Sequence, residues 1–164
     1  MSDILRRAMP TTEDGDLDAT GMRFAVVASR WNDLVTSRLL RGAVECLARR
    51  GAPESSVTIV RVPGSWEIPL AARKAARSGR FDAVVALGAL VRGETSHFEV
   101  LADAVATGLS EVSRDTGVPV GFGVLTAETL EQAIERAGGK MGNKGIEAAE
   151  AAIEMVRVLR RIGE

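Results

Sequence analysis

Apolar residues along the chain follow two alternating patterns. Four short runs are almost continuously apolar, which predicts strands buried on both faces; they cover residues 23–29, 57–62, 83–88 and 119–125. Between these runs, apolar residues recur at steps of three and four, which predicts amphipathic helices. The helices are expected at about 34–50, 66–78, 95 or 97 to 115 and 127–137, with a last one from Asn143 or Lys144.

Residues at the ends of these segments agree with the helix predictions. Gly51 and Pro53 favour termination of the first helix, and Pro69 is compatible only with the first turn of the second. Thr126 is expected to cap the fourth helix, which the pair Gly138-Gly139 would end.

The regular alternation of strand and helix predicts an α/β fold. We expect a three-layer αβα sandwich with a four-stranded parallel sheet, flavodoxin-like in architecture and joined by right-handed crossovers. The polar, acidic start of the chain predicts a flexible N-terminal arm over residues 1–21, followed by a single domain over residues 22–164.

Composition narrows the possible functions. The 164 residues carry 21 basic and 22 acidic side chains, a net charge of −1, which gives no basic field for binding nucleic acid. The N-terminus has no apolar stretch typical of a signal peptide or membrane span. The single cysteine, Cys46, is interpreted as a packed core thiol in a cytoplasmic protein. One cysteine and one histidine provide no recognisable spacing for metal ligands, so no metal is expected.

Residues suited to binding or catalysis follow the predicted strands. Trp31 and Asn32 come after the first strand, Trp66 and Glu67 after the second, and the only histidine, His97, after the third. Ligands of parallel sheets bind beyond the carboxyl ends of the strands, so these loops are expected to converge. Phe122 on the fourth strand is expected on or beside the same edge. The aromatic residues favour a flat ring ligand, although for each of them simple packing in the hydrophobic core is the alternative.

Two segments could receive an anion. The helix opened by residues 92–97 presents backbone N–H groups and a positive dipole end, although an ordinary cap by Thr95 or Ser96 explains the same residues. Arg136, Lys140 and Lys144 surround a glycine-rich junction between two helices. These cations would suit a phosphate, whereas compensation of the preceding helix dipole explains Arg136 and Lys140 equally well. No nucleotide-binding glycine motif follows the first strand.

Five motifs in order resemble those of the lumazine synthase family: RWND, VPGSWEIP, ALGALVRGETSHF, GVLTAETLEQAIERAG and GNKG, within residues 30–145. The resemblance extends over about residues 21–162. It implies condensation of 5-amino-6-(D-ribitylamino)uracil with 3,4-dihydroxy-2-butanone 4-phosphate to give 6,7-dimethyl-8-ribityllumazine, phosphate and water, the penultimate step of riboflavin biosynthesis. It implies no metal and no organic cofactor.

The resemblance also implies the roles of the site residues. Residues that bind the ribitylaminouracil would be Trp31, which stacks on the pyrimidine ring, with Asn32, Ser65, Trp66, Glu67, Ala89, Leu90 and Val91. Glu94 and Thr95 would cradle the phosphate through the backbone, Arg136 would bind it, and His97 would be the proton donor. Phe122 and Lys144 would reach the pocket from a neighbouring subunit.

A site shared in this way requires a homo-oligomer, and the resemblance implies a pentamer. The short GGKMGNKG junction is similar to that of members whose pentamers assemble into icosahedral shells of 60. Two alternatives remain at this stage: a flavin- or lumazine-binding carrier without catalysis, and a shell protein with an idle pocket.

Overall fold

The centre of the fold is a parallel sheet of four strands. The computed structural model describes residues 11–163. Within them, the sheet contains β1 (Phe24–Ser29), β2 (Val57–Val62), β3 (Ala83–Val91) and β4 (Val120–Ala127). The strand order is β2-β1-β3-β4 and every neighbouring pair is parallel. This is the order of flavodoxin-like sheets, in which the chain reverses direction of winding between β1 and β3.

Helices cover both faces of the sheet, so the predicted three-layer α/β sandwich is confirmed. The described part of the chain has the helices α1 (Asp33–Arg49), α2 (Ile68–Arg77), α3 (His97–Thr116), α4 (Leu130–Glu135) and α5 (Lys144–Ile162). Helices α1, α4 and α5 pack on one face, where Phe24 and Val26 contact the cluster that includes Leu39 and Ile153. Helices α2 and α3 cover the other face over Val27.

The central strand explains why the sequence forms this core. All six residues of β1 are buried, and successive side chains of a strand point to opposite faces. Apolar residues are therefore required at every position, which gives the continuous run seen in the sequence. The edge strand β2 has exposed positions, including Ile59.

Two elements differ from the sequence predictions at the carboxyl side of the sheet. Strand β3 continues three residues beyond Gly88, because Val91 pairs with Ala127 of β4. Thr126 lies inside β4 and is not a helix cap. Thr129 caps α4 instead, and its Oγ1 accepts a hydrogen bond from the backbone N–H of Gln132 at 3.2 Å.

The glycine-rich junction folds as a small hairpin that the sequence pattern did not predict. Strands Ala137–Gly139 (β5) and Gly142–Asn143 (β6) pair antiparallel, with positive φ angles at Gly138 and Gly142. The hairpin leads directly into α5, where Asn143 Oδ1 accepts from the backbone N–H groups of Gly145 and Ile146 at 2.8 and 3.3 Å. The predicted start of the last helix at Asn143 or Lys144 is therefore confirmed.

Residues 11–21 lie along the C-terminal helix without regular secondary structure. Arg157 of α5 forms ion pairs with Asp16 and Asp18, both at 3.3 Å, and Ala19 is fully buried. The first ten residues of the predicted arm lie outside the described residues, and the flexibility of the arm stays a prediction. No helix within residues 11–163 has the length and apolar character needed to cross a membrane.

Candidate active site at the rim of the sheet

A cavity of about 470 Å³ opens at the carboxyl ends of β1 and β3. This is the place where the winding of the sheet reverses and where ligands of such folds bind. The volume is in the range of small-molecule sites. Residues from four segments line it: Trp31, Asn32, Ser65, Trp66, Glu67, Ala89, Leu90, His97, Val100 and Leu101.

Trp31 presents its indole at one side of this cavity. The side chain is 67% exposed, while its backbone N–H donates to the carbonyl of Pro63 at 3.0 Å. The ring lies against the bare backbone of Gly64, where an added Cβ would be 2.4 Å from Trp31 Cε3. The absence of a side chain at Gly64 thus determines where the indole can lie.

Asn32 links the β1 loop to the end of β3. Its Nδ2 donates to the carbonyl of Ala89 at 2.8 Å. Its backbone is left-handed, with φ of 59° and ψ of 46°, a conformation in which asparagine is enriched among non-glycine residues. The carbonyl of Asn32 accepts from Val35 and Thr36 and so begins α1. Asn32 therefore starts α1 and links two of the segments that line the cavity.

The turn after β2 brings polar groups to the third side. Residues Ser65–Glu67 form one 3₁₀ turn, and Glu67 Oε2 accepts from the backbone N–H of Gly64 at 2.9 Å. The turn lies close to β3, since an added Cβ at Gly88 would be 2.7 Å from Ser65 Oγ. Trp66 is 59% exposed beside this turn.

His97 is the first residue of α3 and closes the fourth side. Its backbone N–H donates to Thr95 Oγ1 at 3.4 Å. Ser96 occupies the N-cap position, but among the described residues its side chain accepts no capping hydrogen bond. The cap by Ser96 considered from the sequence is therefore wrong, and the first turn retains unpaired N–H groups near the cavity.

Ion pairs surround the loop that precedes α3. Arg92 Nε lies 2.5 Å from Glu128 Oε2, and Arg92 Nη1 contacts Glu99 Oε1. The hydrogen bond to Glu128 raises the pKa of Arg92, and the hydrogen bond from Arg92 lowers the pKa of Glu99. These charges lie beside the cavity, while none of its ten described lining residues is lysine or arginine.

The structure brings together eight of the fourteen residues that the sequence and the resemblance selected: Trp31, Asn32, Ser65, Trp66, Glu67, Ala89, Leu90 and His97. It adds Val100 and Leu101, which were missed. They follow His97 at three and four residues along α3, the spacing that places side chains on one helix face. This spacing could have identified them once His97 was chosen.

The remaining six do not line the cavity of one protomer. Val91, Glu94 and Thr95 belong to the end of β3 and the following loop. Phe122 pairs in register with Ala86, three positions before the rim, and faces a groove against α3. The expectation that Phe122 lies on or beside the carboxyl edge is wrong, because it is the third of the eight residues of β4, near the amino end of that strand.

Arg136 and Lys144 also lie outside this cavity. Arg136 follows α4 at its C-terminal end, and its carbonyl accepts from the N–H of Lys144 at 2.8 Å. Lys144 Nζ pairs with Glu147 at 2.9 Å. Within residues 11–163, no group of three or more His, Cys, Asp or Glu side chains is arranged to hold a metal ion.

Comparison with known proteins agrees with this geometry. The sequence model of the 6,7-dimethyl-8-ribityllumazine synthase family matches residues 21–160. The chain is 55% identical to the 6,7-dimethyl-8-ribityllumazine synthase of Chlorobium phaeobacteroides, over 90% of this chain and 96% of that protein. It is 54% identical to that of Syntrophus aciditrophicus, over 94% and 100%. It is 52% identical to that of Nitratidesulfovibrio vulgaris (strain DSM 19637 / Miyazaki F), over 92% and 97%.

The conclusion rests on a family match over most of the chain and on several relatives above 50% identity. The rim cavity at the reversal point of the sheet agrees with it. The chain belongs to the 6,7-dimethyl-8-ribityllumazine synthase family.

Proposed function

We propose that the protein condenses 5-amino-6-(D-ribitylamino)uracil with 3,4-dihydroxy-2-butanone 4-phosphate in the rim cavity. The products are 6,7-dimethyl-8-ribityllumazine, phosphate and water. Membership of the family makes the chain a lumazine synthase, a transferase that acts in riboflavin biosynthesis. The proposal concerns the two substrates, the residues that bind them and the assembly in which they do so.

One observation carries the assignment of the ring-binding side. Two indoles, Trp31 and Trp66, remain mostly exposed beside the same cavity. Exposed tryptophans at a pocket offer flat surfaces for stacking on a planar ring. Polar groups of Asn32, Ser65 and Glu67 adjoin them, and such groups suit the edge of a pyrimidine and a polyhydroxyl chain.

Existing hydrogen bonds define which groups remain for the substrate. One carboxylate oxygen of Glu67 accepts from Gly64, which leaves the second oxygen for a ribityl hydroxyl or a ring N–H. The carbonyl of Ala89 accepts from Asn32 and retains one lone pair. Backbone groups of residues 89–91 therefore supply the proposed contacts to the uracil edge.

The proposed reaction proceeds through a Schiff base. The 5-amino group attacks the ketone, a C–N bond forms, and the carbonyl oxygen leaves as water. Loss of a proton from the adjacent carbon expels phosphate, the resulting enol tautomerises, and the ribitylamino nitrogen closes the ring with loss of a second water. Each step moves a proton, and His97 is the proposed group that gives and takes it. Most of the acceleration is attributed to holding both substrates together.

The phosphate requires a cation that the cavity of one protomer does not contain among its described lining residues. Backbone N–H groups of residues 93–97 at the start of α3 are the first proposed contacts, at the positions of Glu94 and Thr95. Arg136 supplies the charge and reaches the cavity from a neighbouring copy, together with Phe122 and Lys144. A site of this kind is complete only in an oligomer, for which a homopentamer is proposed.

Unpartnered apolar side chains support the same assembly. Leu70 and Val100 are 75% and 62% exposed. Val100 lines the cavity, and Leu70 lines a neighbouring groove that Trp66 shares. Large apolar residues that cluster at a polar rim mark contact surfaces. Closed shells of 60 subunits stay a prediction, and so does the cytoplasmic location, for which the single buried thiol of Cys46 suits a reducing compartment.

The direct test is a two-substrate assay that follows the absorbance of the lumazine, with each substrate omitted in turn. Product is expected only when both are present, with release of phosphate in equal amount. A protein that binds the ribitylaminouracil but forms no product would refute catalysis. Light scattering of the purified protein distinguishes a pentamer from a monomer and from a closed shell.

A further inference from the structure

Arg92 occupies the point where three elements of the rim meet. It follows the last residue of β3, and its backbone N–H donates to the carbonyl of Ala127 at 2.9 Å. Its guanidinium contacts Glu128 beyond β4 and Glu99 in the first turn of α3. The same guanidinium lies 4.7 Å from the ring centre of Phe98. One side chain thus joins the ends of two strands to the start of one helix.

The loop that Arg92 spans has few other constraints. Residues 93–96 connect β3 to α3, and their side chains make one described hydrogen bond, from the His97 N–H to Thr95 at 3.4 Å. An added Cβ at Gly93 would meet no atom within 4 Å. Because Ser96 does not cap α3, the orientation of the first helical turn depends on contacts made by its later residues.

Those later contacts are the ones made by Arg92. Phe98 and Glu99 directly follow His97, and both are held by the guanidinium. An isolated surface ion pair contributes little, but an arginine that joins two carboxylates and an aromatic face forms a network with fixed geometry. Arg92, Phe98, Glu99 and Glu128 do not line the cavity, so their influence on the reaction would act through His97 and through the adjacent backbone proposed to hold the phosphate.

We propose that Arg92 is a positioning residue, which holds the first turn of α3 against the strand ends and thereby sets His97 over the cavity. The inference rests on the proposed function for its kinetic consequence, but not for its structural one. Trp31, Asn32 and Glu67 lie on other segments, so binding of the ring should not depend on Arg92. Removal of Arg92 should therefore lower kcat while the affinity for the ribitylaminouracil is retained.

The test compares Arg92→Ala, Arg92→Lys and Glu99→Gln with the wild-type enzyme. Misplacement of a catalytic group by about 1 Å costs up to about a hundredfold in rate, so R92A is expected to lose about ten- to a hundredfold in kcat. Lysine keeps the charge but not the planar set of donors, so the kcat of R92K should lie between those of the wild-type enzyme and R92A. E99Q should also lower kcat, because it removes the charged carboxylate on α3 that Arg92 contacts. Affinity for the product, measured by tryptophan fluorescence, should change less than about twofold.

Arg50→Ala is the matched control. Arg50 pairs with Glu150 at 2.6 Å between α1 and α5, and its exposure is similar to that of Arg92. R50A is expected to keep the wild-type kcat. Any loss of activity that merely follows a lower melting temperature would appear in both variants.

Hydrogen–deuterium exchange supplies a readout that needs no substrate. R92A should accelerate exchange in a peptide that covers residues 93–101 and leave residues 147–156 unchanged, and R50A should not affect residues 93–101. Unchanged exchange of residues 93–101 in R92A would overturn the proposal, and so would a kcat equal to that of R50A. If the wild-type protein forms no lumazine, the proposed function fails, while the exchange result still decides whether Arg92 holds α3.

Discussion

Substitutions of Asn32 separate two contributions that this residue makes to the stability of the protein: its side-chain hydrogen bond and its backbone conformation. Its side chain donates to Ala89, and its backbone is in the left-handed region. Asn32→Gly removes the hydrogen bond and leaves the backbone free to adopt that conformation. Asn32→Ala removes the same bond and keeps a Cβ, but without the preference of asparagine for the left-handed region. The difference between the two variants therefore measures the backbone alone.

The magnitudes follow from general values for each contribution. Loss of a partly buried hydrogen bond of 2.8 Å costs about 1 kcal/mol. A left-handed conformation costs a residue with a Cβ roughly 1–2 kcal/mol. Asn32→Gly should thus lower the free energy of unfolding by at most about 1 kcal/mol, because glycine also relieves the left-handed strain, and Asn32→Ala should be roughly 1–2 kcal/mol less stable than Asn32→Gly. For a chain of this size, each kcal/mol corresponds to a shift of about 2–4 °C in Tm.

Urea denaturation followed by circular dichroism is the appropriate assay, with all proteins at one concentration because assembly contributes to apparent stability. Asn32→Asp serves as a further control, since it is tolerated in the left-handed region but cannot donate to the Ala89 carbonyl. It should be at least as unstable as Asn32→Gly. Equal stabilities of the glycine and alanine variants would refute the backbone argument, and a wild-type stability in Asn32→Asp would refute the hydrogen bond.

Three further outcomes are expected. Gly64→Ala should displace the indole of Trp31, because its Cβ would lie 2.4 Å from Cε3; product affinity by fluorescence titration should fall about tenfold or more, and an unchanged affinity would contradict the stacking role. His97→Ala should lose about tenfold to a few hundredfold in kcat and retain product binding in the same titration, whereas an unchanged rate would remove His97 from the mechanism. Burial raises the pKa of Cys46, so alkylation followed by mass spectrometry should be slow until the protein unfolds; rapid labelling of the native protein would contradict this burial. Because the folded pKa is the higher one, the contribution of this thiol to stability is present at neutral pH and is lost as pH rises through the folded pKa.

The sequence was informative wherever burial alone determines the pattern. Strand β1 was located almost to the residue, because a strand covered on both faces requires apolar side chains throughout. The edge strand β2 was located as closely by its β-branched residues, although several of its positions are exposed. The pattern missed the last residues of β3, where Leu90 and Val91 are only partly buried and pairing with β4 extends the strand. The hairpin at residues 137–143 was missed because strands of two or three residues contain too few positions for a period to appear.

The site was predictable to the extent that one chain determines it. Trp31, Ser65 and His97 follow different strands in sequence, yet the rule that parallel strands end at one edge was sufficient to group them. Phe122 was misplaced because it was assigned to the carboxyl edge, although it lies in the first half of β4. Arg136 and Lys144 flank the hairpin, directly before β5 and directly after β6. Their proposed contribution to the cavity depends on contacts between copies, which no periodicity within a single chain encodes.

The most direct test of a shared rim site is complementation between two variants of reduced activity. His97→Ala and Arg136→Ala would be purified separately, dissociated, mixed in equal amounts and reassembled. If His97 of one copy and Arg136 of the next copy serve the same cavity, random assembly restores about one quarter of the cavities to the wild-type pair. The account predicts that the mixture regains about this share of the wild-type kcat. Activity that stays at the mean of the two variants would contradict it.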